Sequence, residues 1–367
     1  MIVKNIQLEN FRNYGKFYAD FDDTVNIIIG DNAQGKTNLL ESIYYLTSGR
    51  SFRSRYDKEI IRLDEDSAFV EADIFADGRE QKITAKLFRG RGKQLFANGV
   101  KLRTVSELSG KLTAVIFSPD DLSLIKDGAS SRRRLLDLGI SQLRPKYAAA
   151  VTEYTRVYDR KSRILRDYYE KPSLLDALDE YNFRLAKLSA LLISYRAGFA
   201  EKLGTAAGEI HREFSGGTET LSVAYQTLKN IENPKLPPSE LFPLVMAHQK
   251  THRQAEIQSG LCLSGAHKDD LEISINGTPA RNFASQGQLR TAALSLKLEE
   301  RKILSDDRGE APVLLLDDVL SELDPLRQNY VLNRINSGQV FITCCEESQI
   351  LKLTGGKVLK IRKGEIV

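Results

Sequence analysis

Cysteine is scarce in this chain: Cys262, Cys344 and Cys345 are the three among 367 residues. They lack metal-ligand spacing and form no disulfide framework, so a zinc cluster or a stapled scaffold is excluded and a cytoplasmic location is expected. Long apolar runs are missing as well. None approaches the roughly 18 residues that cross a bilayer, so no membrane partner is expected. The opening MIVKNIQLENFRNY has no apolar signal core, and the chain is expected to be mature from Met1. Internal repeats and low-complexity tracts are absent. What remains is 41% hydrophobic and 28% charged, the balance of a soluble globular protein. The length allows two domains, or one large domain with an insertion.

Net charge is only +4, yet the cations are unevenly placed. From Lys86 to Arg103, KLFRGRGKQLFANGVKLR holds six cations, including Arg89, Arg91 and Lys93, and no acid. Arg50, Arg53 and Arg55 cluster in GRSFRSRYDK, and Arg132, Arg133 and Arg134 are consecutive. Any one cluster reads equally well as a solvated loop. Three in one chain point to a polyanion partner.

The first hundred residues read as strands and turns. Thr24 to Ile29, TVNIII, suits a buried parallel strand. Asp77-Gly78, the Gly90 to Gly92 stretch and Asn98-Gly99 are hairpin turn signals between alternating segments. TAVIF returns to a buried strand. From Ser130 to Glu170 the pattern is helical, with Tyr147, Val151, Tyr154, Tyr158 and Leu165 on one stripe, until Pro172 breaks it. Leu174, Leu178, Tyr181, Leu185, Leu188, Leu192, Tyr195 and Phe199 then follow heptad steps. About four heptads reach roughly 40 Å, so an antiparallel helical hairpin is expected. Another helix runs towards Ile257. After Gly260 strand character resumes, with a hairpin around Asn276-Gly277. The division expected is an α/β domain in two pieces, residues 1–120 and 258–367, with a mostly helical insertion at 121–257.

GDNAQGKT, comprising Gly30, Asp31, Asn32, Ala33, Gln34, Gly35, Lys36 and Thr37, matches the phosphate-binding loop G-x-x-x-x-G-K-[ST]. The glycines let backbone N–H groups face phosphates, Lys36 supplies a point charge, and the Thr37 hydroxyl is an Mg²⁺ ligand. VLLLDD places Asp317 and Asp318 at the carboxyl end of a buried strand, where ligands bind in an open α/β sheet. Asp317 would hold the metal and Asp318 would position or deprotonate water. A second element, NFASQGQLRTAALSLKLEE, feeds a small polar loop into an amphipathic helix, with Ser285 and Gly287 at its first turn. That is a second anion-binding helix start in one chain.

These motifs, in this order, resemble ATP-binding-cassette (ABC) ATPase heads. LENFRNY, GRSFRS, FSPDDLSLIKDGASSRRRLLD, SGAHKDDLEISING and FASQGQLRTAALSLKLEE together resemble the RecF family of the SMC-like class, over nearly the whole chain. The resemblance implies an ABC-type P-loop head with a mixed sheet and N-terminal antiparallel hairpins, plus a helical arm. It implies that Gly30, Gly35, Lys36 and Thr37 cradle ATP and that Arg12 approaches the nucleotide. Asp317 organises Mg²⁺ and Asp318 is the catalytic carboxylate. Ser285, Gln286, Gly287 and Gln288 form a signature motif acting on a second protomer's ATP, and Asp324 is the loop crossing the dimer. The implied activity is weak, DNA-stimulated ATP hydrolysis by a homodimer formed with ATP. Double-stranded DNA at single-strand gaps or junctions is the implied substrate, RecR and RecO the partners, and RecA loading the outcome.

The chain departs from the usual pattern in places. Most cassette ATPases carry Glu where Asp318 stands; the shorter side chain implies slow hydrolysis. Thr343 or Cys344 occupies the area where transporters have a switch histidine. No glutamine follows AVIF, so Asp120 or Asp121 takes the metal-side role. Ala266 and Lys268 stand where Pro and Arg are expected, and His267 reads either as a nucleotide or DNA contact or as a hydrogen-bonded structural residue. A transporter subunit, a full chromosome-organising SMC head and a small-molecule phosphotransferase are the rival readings. The first has no use for the basic hairpins, the second needs far more coiled coil, and the third has no use for a signature motif.

Overall fold

The computed structural model of the protein describes residues 1–54, 56–320, 323, 327–328, 330–331, 337–345 and 355–367. Two compact units emerge: Met1–Asp121 with Lys297–Val367, and Leu122–Leu296.

The first unit holds two six-stranded sheets. One is antiparallel and runs, in spatial order, Tyr14–Asp20, Ile2–Phe11, Ser67–Ala76, Arg79–Phe88, Gln94–Ala97 and Val100–Lys101. Its hairpins turn where the sequence predicts. Asp77 and Gly78 have φ of 52° and 70°, and Asn98 and Gly99 have 50° and 77°. Positive φ at both central residues is what a two-residue turn matching strand twist requires.

The other sheet is built around Val25–Ile29 and is mostly parallel. Its order is Glu365–Ile366, Lys357–Arg362, Val25–Ile29, Val340–Cys344, Val313–Leu316 and Ala114–Phe117. Val340–Cys344 is buried at every position and sits between the strand entering the phosphate loop and the strand bearing the two acids. A strand covered on both faces reads as an unbroken apolar run, which is why VLLL and VFITC carry no alternation. The helix Lys36–Ser48 touches strands of both sheets and is buried continuously from Leu39 to Thr47.

The second unit is helical with a three-stranded sheet. Pro145 divides the predicted Ser130–Glu170 helix into Ala129–Leu143 and Pro145–Asp167. Arg144 is extended at φ −130° because a following proline excludes the helical conformation. The long helix Leu178–Phe214 has 37 residues, about 55 Å at 1.5 Å per residue. It packs against Pro145–Asp167 and against Pro238–Ser259.

The buried seam of the long helix is not the one predicted. Leu178, Leu185, Leu192 and Phe199 are buried as expected, but Asn182, Ser189 and Arg196 lie inside in place of Tyr181, Leu188 and Tyr195. Ser189 and Arg196 are tolerated there because they are bonded, whereas Asn182 Oδ1 is buried without a hydrogen-bond partner. Ser189 Oγ donates to Leu185 O and accepts from Ala266 N–H, and the Arg196 guanidinium pairs with Asp137 and Asp269 at 2.9 and 2.7 Å.

The edges of the units also differ from the sequence division. The first falls at 121 against 120, whereas the second falls at 296 rather than 257. The reason is a strand invisible to periodicity, Leu221–Gln226, which pairs along its length with Asp270–Ile275 and keeps that segment with the helices.

Candidate nucleotide site

The phosphate loop leaves the Val25–Ile29 strand and enters the Lys36–Ser48 helix. Gly35 adopts φ +119°, and a Cβ there would come within 2.7 Å of Asn13 Nδ2 and 3.0 Å of the Tyr14 hydroxyl. At Gly30 a Cβ would collide with the carbonyl of Ile361. Both positions therefore require glycine.

The back of the loop is gripped from two sides. Asn13 Nδ2 donates to Gln34 O at 2.9 Å, and the buried Tyr14 hydroxyl donates to Gly35 O at 3.0 Å. From the C-terminal hairpin, Gly364 N–H reaches Gln34 O at 3.1 Å and Lys363 N–H reaches Gln34 Oε1 at 2.7 Å. The carbonyls are thus occupied on the outside. Among the described residues, the N–H groups of Ala33, Gly35, Lys36 and Thr37 donate to no protein group. Orphan amides at a helix start are an anion site.

Lys36 is 4% exposed, and its ammonium contacts Gly30 O at 2.7 Å, Asp31 O at 3.3 Å and Cys345 Sγ at 3.3 Å. The Asp318 carboxylate lies 3.9 Å away. The acid pair stands beside it. Asp317 Oδ1 accepts from the Thr37 hydroxyl at 2.8 Å and from Thr343 Oγ1 at 2.9 Å. Burial pushes the Asp317 carboxyl above its ordinary range and Asp318 adds to this, while the two hydroxyls oppose it. A desolvated carboxylate favours a nearby cation. Thr37 gives its hydrogen to Asp317 and keeps a lone pair, so the residues present fit Mg²⁺ bound with phosphate oxygens. Asp318 has a left-handed backbone, φ 52°, a region in which Asp is enriched, and its N–H bonds Thr343 Oγ1 at 2.8 Å.

In the other unit, Ser285 caps the helix Gln286–Arg308. Ser285 N–H donates to Gln288 Oε1 at 2.8 Å, and Gln288 N–H returns to Ser285 Oγ at 3.3 Å, a reciprocal capping box. Gln288 Nε2 also reaches Glu219 at 2.8 Å, and Glu219 reaches the buried His211 at 2.9 Å. Ser285, Gln286 and Gly287 are exposed.

A family model described as the RecF/RecN/SMC N terminal domain matches residues 2–365. The chain is 39% identical over 369 residues to the DNA replication and repair protein RecF of Clostridium acetobutylicum, spanning 100% of this chain and 99% of that one. It is 38% identical over 371 residues to that of Lachnospira eligens, with 100% and 99% covered. The chain belongs to the RecF family. A solved structure of the recombination mediator RecF with ATP superposes with a TM-score of 0.89 at 35% identity, covering 100% of this chain and 97% of that one. The resemblance to the RecF family and the ABC-type fold agree with these matches.

Within this RecF-family chain, several predicted site residues are placed elsewhere. Arg12 does not extend towards the loop; its guanidinium donates to both oxygens of the buried Glu41 at 2.8 and 2.7 Å, to Ser54 Oγ at 2.6 Å and to Glu59 O at 2.8 Å. Asn13 and Tyr14, its neighbours, make the loop contacts, and only their place in NFRNYG signalled it. Asp121 turns to its own turn, accepting from Ser118 N–H at 2.6 Å, and to the buried Lys297 at 3.7 Å, while Asp120 is exposed. His267 is a structural residue, bonded through its two nitrogens to the Tyr154 hydroxyl and Cys262 O at 2.8 and 2.9 Å. Asp324 and Arg55 lie outside the described residues.

The basic clusters divide. Arg132 is 5% exposed, pairs with Asp270 at 2.7 Å and caps the carbonyls of Leu124, Ile125 and Asp127. Arg133 donates to Asp269 O, and Arg89 donates to the carbonyls of Lys58, Ile61, Arg62 and Glu65. Lys93 binds Gly49 O and Asp57, and burial lowers its pKa. Those four cations have partners within the fold, and Arg89 is exposed as well. Arg50, Arg53 and Arg91 are exposed.

Proposed function

We propose that this protein is an ATP-gated DNA clamp that acts in recombinational repair. The observation carrying this reading is the pair of anion-binding helix starts. One has orphan amides, a buried lysine and an acid pair. The other is an exposed capping box whose one bonded acid, Glu219, is taken up by Gln288 and His211. Each lacks what the other holds, and two copies of the chain would complete both.

Bound Mg·ATP supplies the triphosphate charge and the scissile bond. The amides of Ala33, Gly35, Lys36 and Thr37 would hold the phosphates, and Lys36 would exchange its carbonyl contacts for phosphate oxygens. Thr37 and Asp317 would hold the metal. Among the described residues no three His, Cys, Asp or Glu side chains form a self-sufficient metal site, and a phosphate-bound Mg²⁺ needs none. Asp318 orients the attacking water and takes its proton. Ser285 and the amides after it, from a second protomer, bind the γ-phosphate, so the dimer closes only with ATP and opens once hydrolysis removes those contacts.

DNA enters through phosphate contacts to exposed cations, giving salt-sensitive binding with little sequence preference. Duplex DNA at gaps or junctions is the substrate, RecR and RecO are the partners, and RecA loading follows. The chain works in the cytoplasm, and no described helix is long and apolar enough to cross a membrane.

Light scattering with and without ATP tests the clamp. Wild type should dimerise with ATP, Lys36→Arg should not, and Ser285→Arg should bind ATP yet stay monomeric. A wild-type monomer in saturating ATP would end the reading.

A further inference from the structure

We propose that Thr343 is the positioning residue of the hydrolytic centre, holding both acids through one hydroxyl. The inference rests on Asp317 and Asp318 being the acids of ATP hydrolysis, and it adds a residue on a different strand that sets their geometry.

The placement follows from the sheet. In the central strand Val340–Cys344, Thr343 pairs with Ile28 at the entrance to the phosphate loop, and its neighbour Ile342 pairs with Leu316, the residue before Asp317. The side chain is 1% exposed, and its hydroxyl bonds within the protein. A hydroxyl has one hydrogen. The Asp318 N–H, 2.8 Å away, can only donate, so Oγ1 accepts there. Its own hydrogen is left for Asp317 Oδ1 at 2.9 Å, which can only accept. The bond directions are thereby determined without ambiguity.

Two consequences follow for the chemistry. Asp317 Oδ1 receives Thr37 and Thr343 together, which stops the carboxylate from rotating. Among the described residues Oδ2 receives no hydrogen bond, so that oxygen is the one presented to the metal or its water. Asp318 stands in a left-handed conformation, φ 52°, with its carboxylate 3.9 Å from the Lys36 ammonium. The Thr343 acceptor holds the N–H and so the conformation. Valine has the same shape as threonine and no hydroxyl, so it removes both bonds while leaving the packing.

Thr343→Val and Thr343→Ser are compared with Asp318→Asn, using a fluorescent ATP analogue for binding, phosphate release for turnover, and circular dichroism for folding. Outer residues that orient metal ligands typically change affinity or activity by about 10–100-fold. The Val variant should lose turnover on that scale and need more Mg²⁺ for half-maximal nucleotide binding. Its nucleotide affinity in EDTA should match wild type, because the loop amides and Lys36 are untouched. The Ser variant should restore both properties. Wild-type turnover and Mg²⁺ dependence in Thr343→Val, with Asp318→Asn inactive, would overturn the inference alone. An active Asp318→Asn would overturn the acid-pair reading and this inference with it. If Thr343→Val does not fold, Thr343→Ala against Thr343→Ser gives the same contrast, and equal impairment of the two would overturn the proposal.

Discussion

The Thr37 hydroxyl donates to Asp317 Oδ1 at 2.8 Å across a sequence separation of 280 residues. One residue opens the helix after the phosphate loop, and the other ends a strand two places away in the sheet. The contact joins the two motifs into one site. It also places a hydroxyl lone pair and a buried carboxylate where a phosphate-bound metal would sit.

The acid pair should separate binding from hydrolysis. Asp318→Asn removes the base while keeping side-chain size, so turnover should fall by about 10²–10⁴-fold, the usual contribution of general-base catalysis. ATP should still bind, and ATP-loaded dimers should persist for longer than wild-type dimers. Dimer lifetime after dilution measures this; rapid dissociation would remove Asp318 from the hydrolytic step.

Arg12→Ala should damage folding rather than nucleotide affinity. Its partner Glu41 is fully buried, and Arg12 itself is 20% exposed at the side chain. Removing one member of such a pair costs about 3–5 kcal/mol because the other charge is left buried. Urea unfolding should show the loss, with the ATP dissociation constant of the folded protein near wild type. Unchanged stability together with weakened ATP binding would restore Arg12 to the nucleotide site.

The basic residues should sort by their partners. Arg132→Ala should unfold more readily and leave the salt dependence of DNA binding as it was. Arg53→Ala and Arg91→Ala should keep stability and each reduce the log–log salt slope by about 1 if it meets a phosphate. DNA titrations across a range of salt concentrations decide this, and an unchanged slope in both exposed variants would move the DNA surface elsewhere.

His267 should make the protein acid-sensitive. Burial lowers its pKa to about 4 in the fold, against an ordinary value of 6.5. The unfolded chain therefore binds a proton that the folded chain refuses between those values, and stability must fall as pH drops through that window. The full effect is roughly 3 kcal/mol at about 1.4 kcal/mol per unit. Urea midpoints at pH 7.5 and pH 5 should differ in wild type by more than in His267→Asn. Parallel losses in the two proteins would show that other groups carry the acid sensitivity.

What the sequence determined by itself are the features whose cause is local. A glycine that must take positive φ, a lysine and a hydroxyl one residue apart, and Asn-Gly or Asp-Gly between alternating strands declare their geometry within a few residues. The phosphate loop, the acid pair, the helix start at Ser285 and the hairpins are legible for that reason. Tertiary structure decided whatever depends on a distant partner. Arg132 reads the same as Arg91 in a string of letters, until Asp270 is found beside one and the other lies exposed over the Phe88 ring. Leu188 and Tyr195 fit the apolar seam, yet Ser189 and Arg196 are the buried residues, because bonded polar groups can displace apolar ones on a helix packed from several sides. Arg12, Asn13 and Tyr14 stand in a row, and only the fold determines which of them meets the loop. In the sequence, Thr343 or Cys344 simply occupies the area where transporters carry a histidine. Its function arises from two strands meeting at its hydroxyl, a relation that no run of neighbouring residues encodes.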